Sequence, residues 1–384
     1  KRSSASSGCK RPAMHRLLAL LLALPLLVFA ADGPRLNKAL NEQIVFVRSG
    51  SGLFVTELET TIFKPDGDGP YPLVVINHGK EFGNPKFQPR ARYIVASREF
   101  VRRGYVVMIP MRSGFSKSSG GYIEGGCNIA GNGLAQAADI DAALAHARTL
   151  PYVDSKRIVV VGQSHGGLST MALGTTEQAG VLGLINFAGG LRLDRCNGWE
   201  ASLVEAFADY GKAGRYRSLW FYGDNDSYWP KKTIDEMHAA HVAAGGKARM
   251  VAFGSFKGDS HGMFSQQDGL AIWWPEVEKF LIELGLPVGQ LPASGTDPDS
   301  LRLAAAGKVP FIAESERCRR LYQLFVDADY PRAFAASGNG RCGYAWGGED
   351  PRKRAIDFCR AKTEEVCKLY AIDDEITWRN EATN

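Results

Sequence analysis

The sequence predicts an α/β fold in which helices flank an eight-stranded, mostly parallel sheet, followed by a small disulfide-containing C-terminal domain. Short runs of β-branched and aromatic residues alternate with stretches of helical spacing, the pattern of a mostly parallel sheet. Several runs are apolar throughout, as in Ile158-Val159-Val160-Val161, which is typical of strands covered on both faces. Four of the seven cysteines fall after position 309, which indicates a separate small domain.

The first two predicted strands are close together with a Ser-Gly turn between them, so they should form an antiparallel edge of the sheet. Helices separate the others. In chain order the predicted strands are Gln43 to Arg48, Phe54 to Phe63, Leu73 to Asn77, Tyr105 to Pro110, Arg157 to Gly162, Leu182 to Phe187, Ser218 to Tyr222 and Ala248 to Phe253. The predicted helices are Tyr93 to Arg103, Leu134 to Leu150 with Asn132 as its cap, Leu168 to Thr176, Lys232 to Ala244 and Ile272 to Leu284.

Residues 1–30 are predicted to be a leader and signal peptide, with Met14 as the start of translation. Two basic residues follow Met14 and precede an apolar run from Leu17 to Phe29, which is too short for a stable membrane span. Val28 and Ala30 suit the −3 and −1 positions of a signal peptidase site. We therefore expect a periplasmic or secreted protein, with an uncleaved anchor as the alternative.

The charge of the chain argues against two classes of partner. The formal net charge is +5, and the leader supplies five basic residues and no acidic one. The rest of the chain is therefore near neutral and offers no electrostatic footprint for nucleic acid or an anionic membrane. We expect neither a nucleic-acid partner nor stable membrane insertion, and the oligomeric state stays open.

Outside the leader an even number of cysteines remains, which in an exported chain indicates disulfides. Structural zinc is the alternative, but there is no C-x-x-C pair and the spacings do not fit the common finger patterns, so no metal is expected. Two of the six lie in loops expected at the carboxyl end of the sheet and are predicted to pair with each other, whereas four cluster in the tail. The predicted pair is Cys127 with Cys196, and the tail cysteines are Cys318, Cys342, Cys359 and Cys367.

A stretch that contains Pro, Gly and Ser follows Leu286 and is predicted to be a linker. The expected organisation is a leader over 1–30, a large α/β domain over 31–286, a linker over 287–309 and the small domain over 310–384.

The motif that carries the chemistry is Gly162-Gln163-Ser164-His165-Gly166, which fits the G-x-S-x-G pattern of a nucleophile elbow. Such an elbow places a serine on a strained turn between a strand and a helix, and its glycines avoid clashes with nearby backbone. A second match spans Gly258 to Gly262 but lacks a comparable helix after it. In α/β-hydrolases the serine precedes the acid and the histidine. Because no histidine follows His261, Ser164 is the predicted nucleophile and Ser260 is not.

Apart from the adjacent His165, three histidines follow Ser164 and could act as its base. His238 and His241 lie three apart inside a predicted helix, where solvated or packed side chains are expected, and they form no H-E-x-x-H metal motif. His261 follows the last predicted strand in a Gly- and Ser-rich loop, where a general base should reach the edge of the sheet. His261 is the predicted base.

The acid should follow the preceding strand, where Tyr222-Gly223-Asp224-Asn225-Asp226 offers two carboxylates. We predict Asp226, because Gly223 can turn the chain before this carboxylate. Asp224 is expected to stabilise the turn by bonding its own backbone.

An acyl-transfer site also needs preorganised N–H donors for the developing oxyanion. The amide of His165, directly after the nucleophile, is one predicted donor. The second should come from the loop Asn77-His78-Gly79-Lys80, where Lys80 is preferred and Gly79 is the next candidate. His78 is expected to support this loop.

The stretch from about Gln43 to Leu284 resembles the bacterial dienelactone-hydrolase-like serine hydrolases of the α/β-hydrolase superfamily. The enzymes that gave this family its name attack with a cysteine, whereas this elbow carries Ser164, so the resemblance does not extend to dienelactone as the substrate. The tail from Cys359 to Trp378 is similar to a small domain of exported bacterial proteins. The segments that carry the main resemblance are Asn77-His78-Gly79, Arg103 to Val107, Pro151-Tyr152-Val153-Asp154, Gly162 to Gly167, Ile185 to Gly190, Tyr222 to Tyr228 and His261-Gly262.

These features together imply an exported serine hydrolase that cleaves small-molecule carboxylic esters through an acyl-enzyme, without a metal or an organic cofactor. A prolyl-oligopeptidase-type peptidase shares the triad order, but such enzymes place a large propeller before the hydrolase, and only about a dozen residues separate the signal from the first strand. A non-catalytic binding protein that works through its C-terminal domain is the other alternative. The loops 112–133 and 189–217 are expected to build the pocket, with Tyr122, Trp199, Tyr228 and Trp229 as candidate walls.

Overall fold

The structure is a computed structural model that describes residues 36–37, 40–52, 55–291, 315–328, 331–347, 351–361, 366–373 and 375–378. The predicted leader and most of the predicted linker lie outside these residues. Residues from Leu36 onward form one compact unit. Among the residues described, no helix combines the length and the apolar character needed to cross a membrane.

The larger sheet has eight strands, which in chain order are β1 (Gln43–Ser49), β2 (Thr56–Phe63), β3 (Tyr71–Asn77), β4 (Val106–Pro110), β5 (Val153–Gln163), β6 (Val181–Phe187), β7 (Arg217–Tyr222) and β8 (Lys247–Ala252). Their spatial order is β1-β2-β4-β3-β5-β6-β7-β8. β2 is antiparallel to both of its neighbours, β1 and β4, and all other neighbouring strands are parallel. The predicted mostly parallel sheet with an antiparallel edge is confirmed.

Six helices belong to this part of the chain: α1 (Ile94–Val101), α2 (Ile129–Ala147), α3 (His165–Leu173), α4 (Trp199–Ala213), α5 (Lys231–Ala243) and α6 (Leu270–Glu283). They cover both faces of the sheet. One core cluster joins side chains of α2 to α5 to one face, for example Leu168 and Leu203. The other joins α1 and α6 to the opposite face, for example Phe100 and Trp273. Coverage on both faces explains why the central strands are apolar throughout.

Three helices differ most from the prediction. α3 begins at His165 rather than Leu168 and ends at Leu173 rather than Thr176. α2 begins at Ile129 rather than Leu134, because Asn128 is its cap and accepts a hydrogen bond from the N–H of Gly131 at 2.7 Å. The prediction of Asn132 as the cap is wrong, since this residue lies inside the helix. The segment 189–217, for which no helix was predicted, contains α4, whose Tyr210 packs against α2 and donates its hydroxyl to Ala130 O at 2.8 Å.

The disulfide Cys127–Cys196 joins the segment before α2 to the segment before α4, with the two Cα atoms 5.8 Å apart. This is the pairing that the sequence predicts. An exposed ion pair between Arg195 and Glu124 at 3.0 Å connects the same two segments. A disulfide that closes a loop of this size typically stabilises a fold by about 2–4 kcal/mol. The connections that follow β4 and β6 are thus tied to each other covalently.

The C-terminal part has a sheet of its own, with the strands β9 (Arg332–Ala336), β10 (Cys342–Trp346), β11 (Lys368–Ile372) and β12 (Glu375–Ile376) in the order β10-β9-β11-β12. Two helices accompany it, α7 (Glu316–Asp327) and α8 (Arg352–Arg360). All neighbouring strands are antiparallel. The disulfide Cys318–Cys342 fastens α7 to β10, and Cys359–Cys367 fastens α8 to the segment before β11. The prediction of disulfides in this region is confirmed.

Candidate active site

Ser164 stands alone between β5, which ends at Gln163, and α3, which begins at His165. Its backbone has φ 56° and ψ −124°, a conformation that costs free energy for a residue with a side chain and that is typical of a nucleophile elbow. A Cβ at Gly166 would overlap the carbonyl of Asn77, and one at Gly162 would overlap that of Gly166. The two glycines of the motif are therefore required by the close approach of neighbouring backbone.

The second G-x-S-x-G match has a different geometry. Ser260 begins a short 3-10 segment, Ser260–Ser265, and is only 2% exposed. Its side chain packs where a Cβ of Gly223 would be, and its hydroxyl has no hydrogen-bond partner among the described residues. A serine held in this way does not present its hydroxyl to a substrate.

Asp226 and His261 are joined by a hydrogen bond at the carboxyl ends of β7 and β8. His261 Nδ1 lies 3.1 Å from Asp226 Oδ1 and 3.0 Å from Oδ2. The Asp226 carboxylate is fully buried, and its Oδ1 also accepts the N–H groups of Tyr228 and Trp229 at 2.9 and 3.1 Å. Asp224 is exposed on the same turn. The structure thus brings Asp226 rather than Asp224 to the imidazole, and Nε2 is the ring nitrogen that stays available for proton transfer.

Aromatic rings fix the orientation of the imidazole. The ring of Tyr228 stacks on that of His261 with the centroids 4.2 Å apart, and Trp229 presents an edge at 5.9 Å. The indole of Trp229 is itself fixed, because its Nε1 donates to Ala188 O at 2.7 Å. Tyr228 and Trp229, predicted as walls of the pocket, therefore also position the predicted base.

Two polar side chains that the sequence analysis did not single out hold the histidine loop. Gln163, directly before the nucleophile, donates from Nε2 to the carbonyl of His261 at 3.0 Å. Asp259 accepts the N–H of His261 at 2.9 Å and that of Ser227 at 3.1 Å, which links the histidine loop to the aspartate loop. Gln163 is the last residue of β5 and directly precedes the nucleophile, and that position was the available signal for it.

Two backbone N–H groups beside Ser164 are suited to an oxyanion. The amides of His165 and Lys80 have no acceptor among the residues that the structure describes. Gly79 lies against the nucleophile, since a Cβ on it would be 3.2 Å from Ser164 Cβ. Its N–H is nevertheless engaged by the hydroxyl of Tyr93 at 3.3 Å. Of the two candidates in this loop, the geometry therefore favours Lys80.

A buried arginine connects the two segments that carry these amides. Arg112 is fully buried and donates from Nη1 to the carbonyl of His78 at 2.8 Å, from Nη2 to His165 Nδ1 at 3.1 Å and from Nε to Gln136 at 2.9 Å. Burial, and next the charge of Arg112, hold the pKa values of His78 and His165 well below the ordinary value. Both imidazoles are therefore neutral near pH 7. Burial also lowers the pKa of Arg112 itself, to about 10, so its guanidinium remains charged there.

A pocket opens next to Ser164, lined by Lys80, Glu81, Phe82, Ser164, His165, Gly190, Leu191, Arg192, Asp194, Tyr228 and Trp229. Two of the predicted wall residues, Tyr228 and Trp229, are in this lining. The other two are not. Trp199 is 8% exposed and packs on Trp229, and the ring of Tyr122 packs against the buried imidazole of His165 with a centroid distance of 5.8 Å.

The other two histidines after Ser164 lie away from the pocket. His238 and His241 are both on α5 and contact Trp220 in the core, and His241 Nδ1 is 3.0 Å from Phe207 O. In the part of the chain that the structure describes, no three His, Cys, Asp or Glu side chains are grouped to hold a metal ion.

The eight-stranded sheet and the strand, serine and helix arrangement at Ser164 define an α/β-hydrolase. Within that class, the profile of the dienelactone hydrolase family matches residues 58–279, so the chain belongs to the dienelactone hydrolase family. The resemblance predicted from the sequence is thereby confirmed, and the chain is a hydrolase of the serine type within this family.

Several solved structures are similar to this chain. An esterase from Thermogutta terrifontis shares 21% identity at a TM-score of 0.46, with 66% of this chain and 98% of that chain covered. An esterase from Pyrococcus furiosus shares 17% identity at a TM-score of 0.48, with 67% and 95% covered. Dipeptidyl peptidase 4 of Porphyromonas gingivalis shares 20% identity at a TM-score of 0.46, with 63% of this chain but 35% of that chain covered. Among curated protein sequences no match was found.

Proposed function

We propose that this chain is an exported serine esterase that cleaves carboxylic esters through an acyl-enzyme, with Ser164 as nucleophile, His261 as base and Asp226 as the orienting acid. The observation that carries the proposal is the hydrogen bond from His261 Nδ1 to the buried Asp226 carboxylate, at 3.0 Å, beneath Tyr228, which stacks on His261 and lines the pocket at the strained Ser164. A serine is a weak nucleophile until a histidine takes its proton, and the histidine needs a fixed tautomer to do so.

The proposed reaction has two steps. His261 Nε2 takes the proton from Ser164 Oγ as Oγ attacks the ester carbonyl, and the resulting imidazolium gives this proton to the departing alcohol. Water then attacks the acyl-enzyme, with its proton passing through His261 to Ser164 Oγ as the acid leaves. The amides of His165 and Lys80 would stabilise the oxyanion in both steps.

Two observations support the remaining parts of the proposal. Three disulfides form in this chain, and disulfides persist in oxidising compartments such as the periplasm or the extracellular space. The cavity of about 100 Å³ beside Ser164 is small compared with sites for drug-sized ligands. We therefore propose export and a small-molecule ester whose acyl group beside the nucleophile is short.

The test combines a covalent probe with a substrate panel, using the protein from Ala31 onward. A fluorophosphonate should form its adduct on Ser164, and mass spectrometry of peptides locates that adduct. In a panel of esters from acetate to octanoate, those with short acyl groups should be hydrolysed fastest. Peptide substrates should not be cleaved. Faster cleavage of peptides would instead assign a peptidase, and a protein without reaction at any serine would be a non-catalytic one.

We also propose that the chain divides into a hydrolase domain and a small C-terminal domain. The core clusters of the C-terminal part consist of residues after position 315 alone. Among the described residues, Arg92 Nη1 lies 3.8 Å from Asp373 Oδ2 of the C-terminal part, but Arg92 also binds Glu42 at 2.6 Å within the hydrolase.

Ending the chain after Leu291 should therefore leave a folded and active esterase. β8 and α6 are complete before this residue, and Leu291 N–H donates to Arg102 O at 2.7 Å, so Leu291 itself should be kept. The measurement is the rate per mole of enzyme on a short ester, together with the thermal transition. A shortened protein that is soluble and folded but inactive would show that the tail helps to build the site.

A further inference from the structure

The segment between β3 and α1 exposes two aromatic side chains, Phe82, which lines the pocket, and Phe87. Phe82 is 86% exposed and Phe87 is 84% exposed, more than any other large apolar side chain that the structure describes. Single exposed apolar residues are common on protein surfaces. Two almost fully exposed phenyl rings five positions apart are more than this ordinary exposure of single residues. Exposed apolar patches commonly mark sites that bind a partner or a ligand.

Phe82 continues the catalytic pocket outward. It lines the pocket together with Ser164. Its ring stacks on Tyr228 with the centroids 5.7 Å apart, and Tyr228 stacks in turn on His261 at 4.2 Å. The stacked rings of His261, Tyr228 and Phe82 thus extend from the predicted base to the solvent. An apolar molecule that contacts Phe82 therefore lies at the entrance to the pocket.

Hydrogen bonds hold the segment that carries both rings. Asn84 Oδ1 accepts the N–H of Lys86 at 3.0 Å, and the N–H of Phe87 donates to Asn84 O at 3.0 Å. Lys86 Nζ reaches Ser118 O at 2.8 Å, and the N–H of Glu81 donates to Gln88 Oε1 at 2.9 Å. The rings are therefore presented to solvent by a fixed turn.

A third exposed apolar residue, Ile123, lies in the segment that follows β4. Ile123 is 49% exposed, and its neighbour Tyr122 packs against the imidazole of His165. Phe82, Phe87 and Ile123 are named here the apolar rim. Rings that protrude from a surface lose most contact with water when they enter an apolar phase, whereas one dissolved ester molecule covers them only in part.

We propose that the apolar rim docks the enzyme on assembled, water-insoluble esters, such as the surface of a neutral ester droplet, and so delivers ester groups to Ser164. The inference rests on the proposed esterase function. We choose an ester as the partner because Phe82 lines the pocket that is proposed to bind esters. A neutral ester phase is the partner that fits uncharged rings.

The first test measures binding without turnover. In the Ser164→Ala background, flotation with tributyrin droplets should bring the protein to the droplet phase, and Phe87→Ser should weaken this partition about tenfold, since burial of one phenyl ring contributes at least that factor. Phe46→Ser is the matched control, because Phe46 is 49% exposed on β1, outside the rim. Equal partition of Phe87→Ser and its parent would overturn the proposal.

The second test follows hydrolysis of tributyrin below and above its solubility limit. Phe87→Ser should keep the parent rate on dissolved tributyrin and lose about tenfold on droplets. An equal loss on both sides of the limit would overturn the proposal, because the ring would then serve dissolved substrate. Absence of turnover on any ester would reject the esterase function alone, and the flotation result would still decide whether the rim binds droplets.

Discussion

Ser164→Ala should lower ester turnover by about a millionfold, the scale seen when a triad nucleophile is removed, while the thermal transition stays nearly unchanged. Ser164 already holds φ 56° and ψ −124°, so alanine keeps the same backbone strain and loses only a hydroxyl. The measurement is the steady-state rate on a short ester for the purified variant, with differential scanning calorimetry to compare stability.

Ser260→Ala is the matched control, since it removes the same atom from the other G-x-S-x-G match. Ser260 is buried and packs beneath Gly223, away from solvent. Its replacement should leave most of the activity in place. If Ser260→Ala were the inactive variant and Ser164→Ala the active one, the nucleophile would have to be reassigned.

Asp226→Asn should lower turnover by roughly 10⁴, as when a triad histidine loses its orienting carboxylate. The asparagine Oδ1 can still accept the N–H groups of Tyr228 and Trp229, as the carboxylate does at 2.9 and 3.1 Å. Its NH2 group then faces His261 Nδ1 and favours the tautomer that carries the proton on Nε2. That tautomer cannot take the proton from Ser164. Steady-state rates near neutral pH, on protein shown to be folded by circular dichroism, measure the effect.

Asp224→Asn serves as the comparison, because it changes the same residue type two positions away. Asp224 is exposed, and its N–H donates to Gly254 O at 2.9 Å, a contact that asparagine keeps. We expect little change in turnover. A larger loss for Asp224→Asn than for Asp226→Asn would transfer the role of the acid to Asp224.

The sheet could be predicted because each central strand is buried on both faces and so appears as an uninterrupted apolar run. Ile158 to Val161, for example, lies within β5 and is fully buried. The start of α2 could not be predicted in the same way, because Gly131 and Gly133 lower helix propensity. Gly133 is required by tertiary packing, since the hydroxyl of Tyr210 occupies the space of its Cβ. That contact joins residues far apart in sequence.

In the candidate site, too, some residues could be predicted from the sequence and others could not. Ser164, Asp226 and His261 could be proposed from chain order, because each follows a strand of a known rank. The engagement of Gly79 by Tyr93 and the packing of Tyr122 on His165 depend on how the segments after β3 and β4 pack together. Arg112 carried a weak signal, since it stands two residues after the last residue of β4, but its link between His78 and His165 could be seen only in three dimensions.

The Cys127–Cys196 bond bears on how the protein is produced and stored. Cys196 closely follows Gly190 to Asp194, part of the pocket wall, while Cys127 precedes the helix that carries Asn132 beside His165. The bond joins two segments outside the strands of the large sheet, so we expect material from a reducing host to keep the sheet and to lose the covalent link at the pocket entrance. We expect spectra of secondary structure to miss this difference. A count of free thiols on each preparation would therefore say more about its specific activity than purity does.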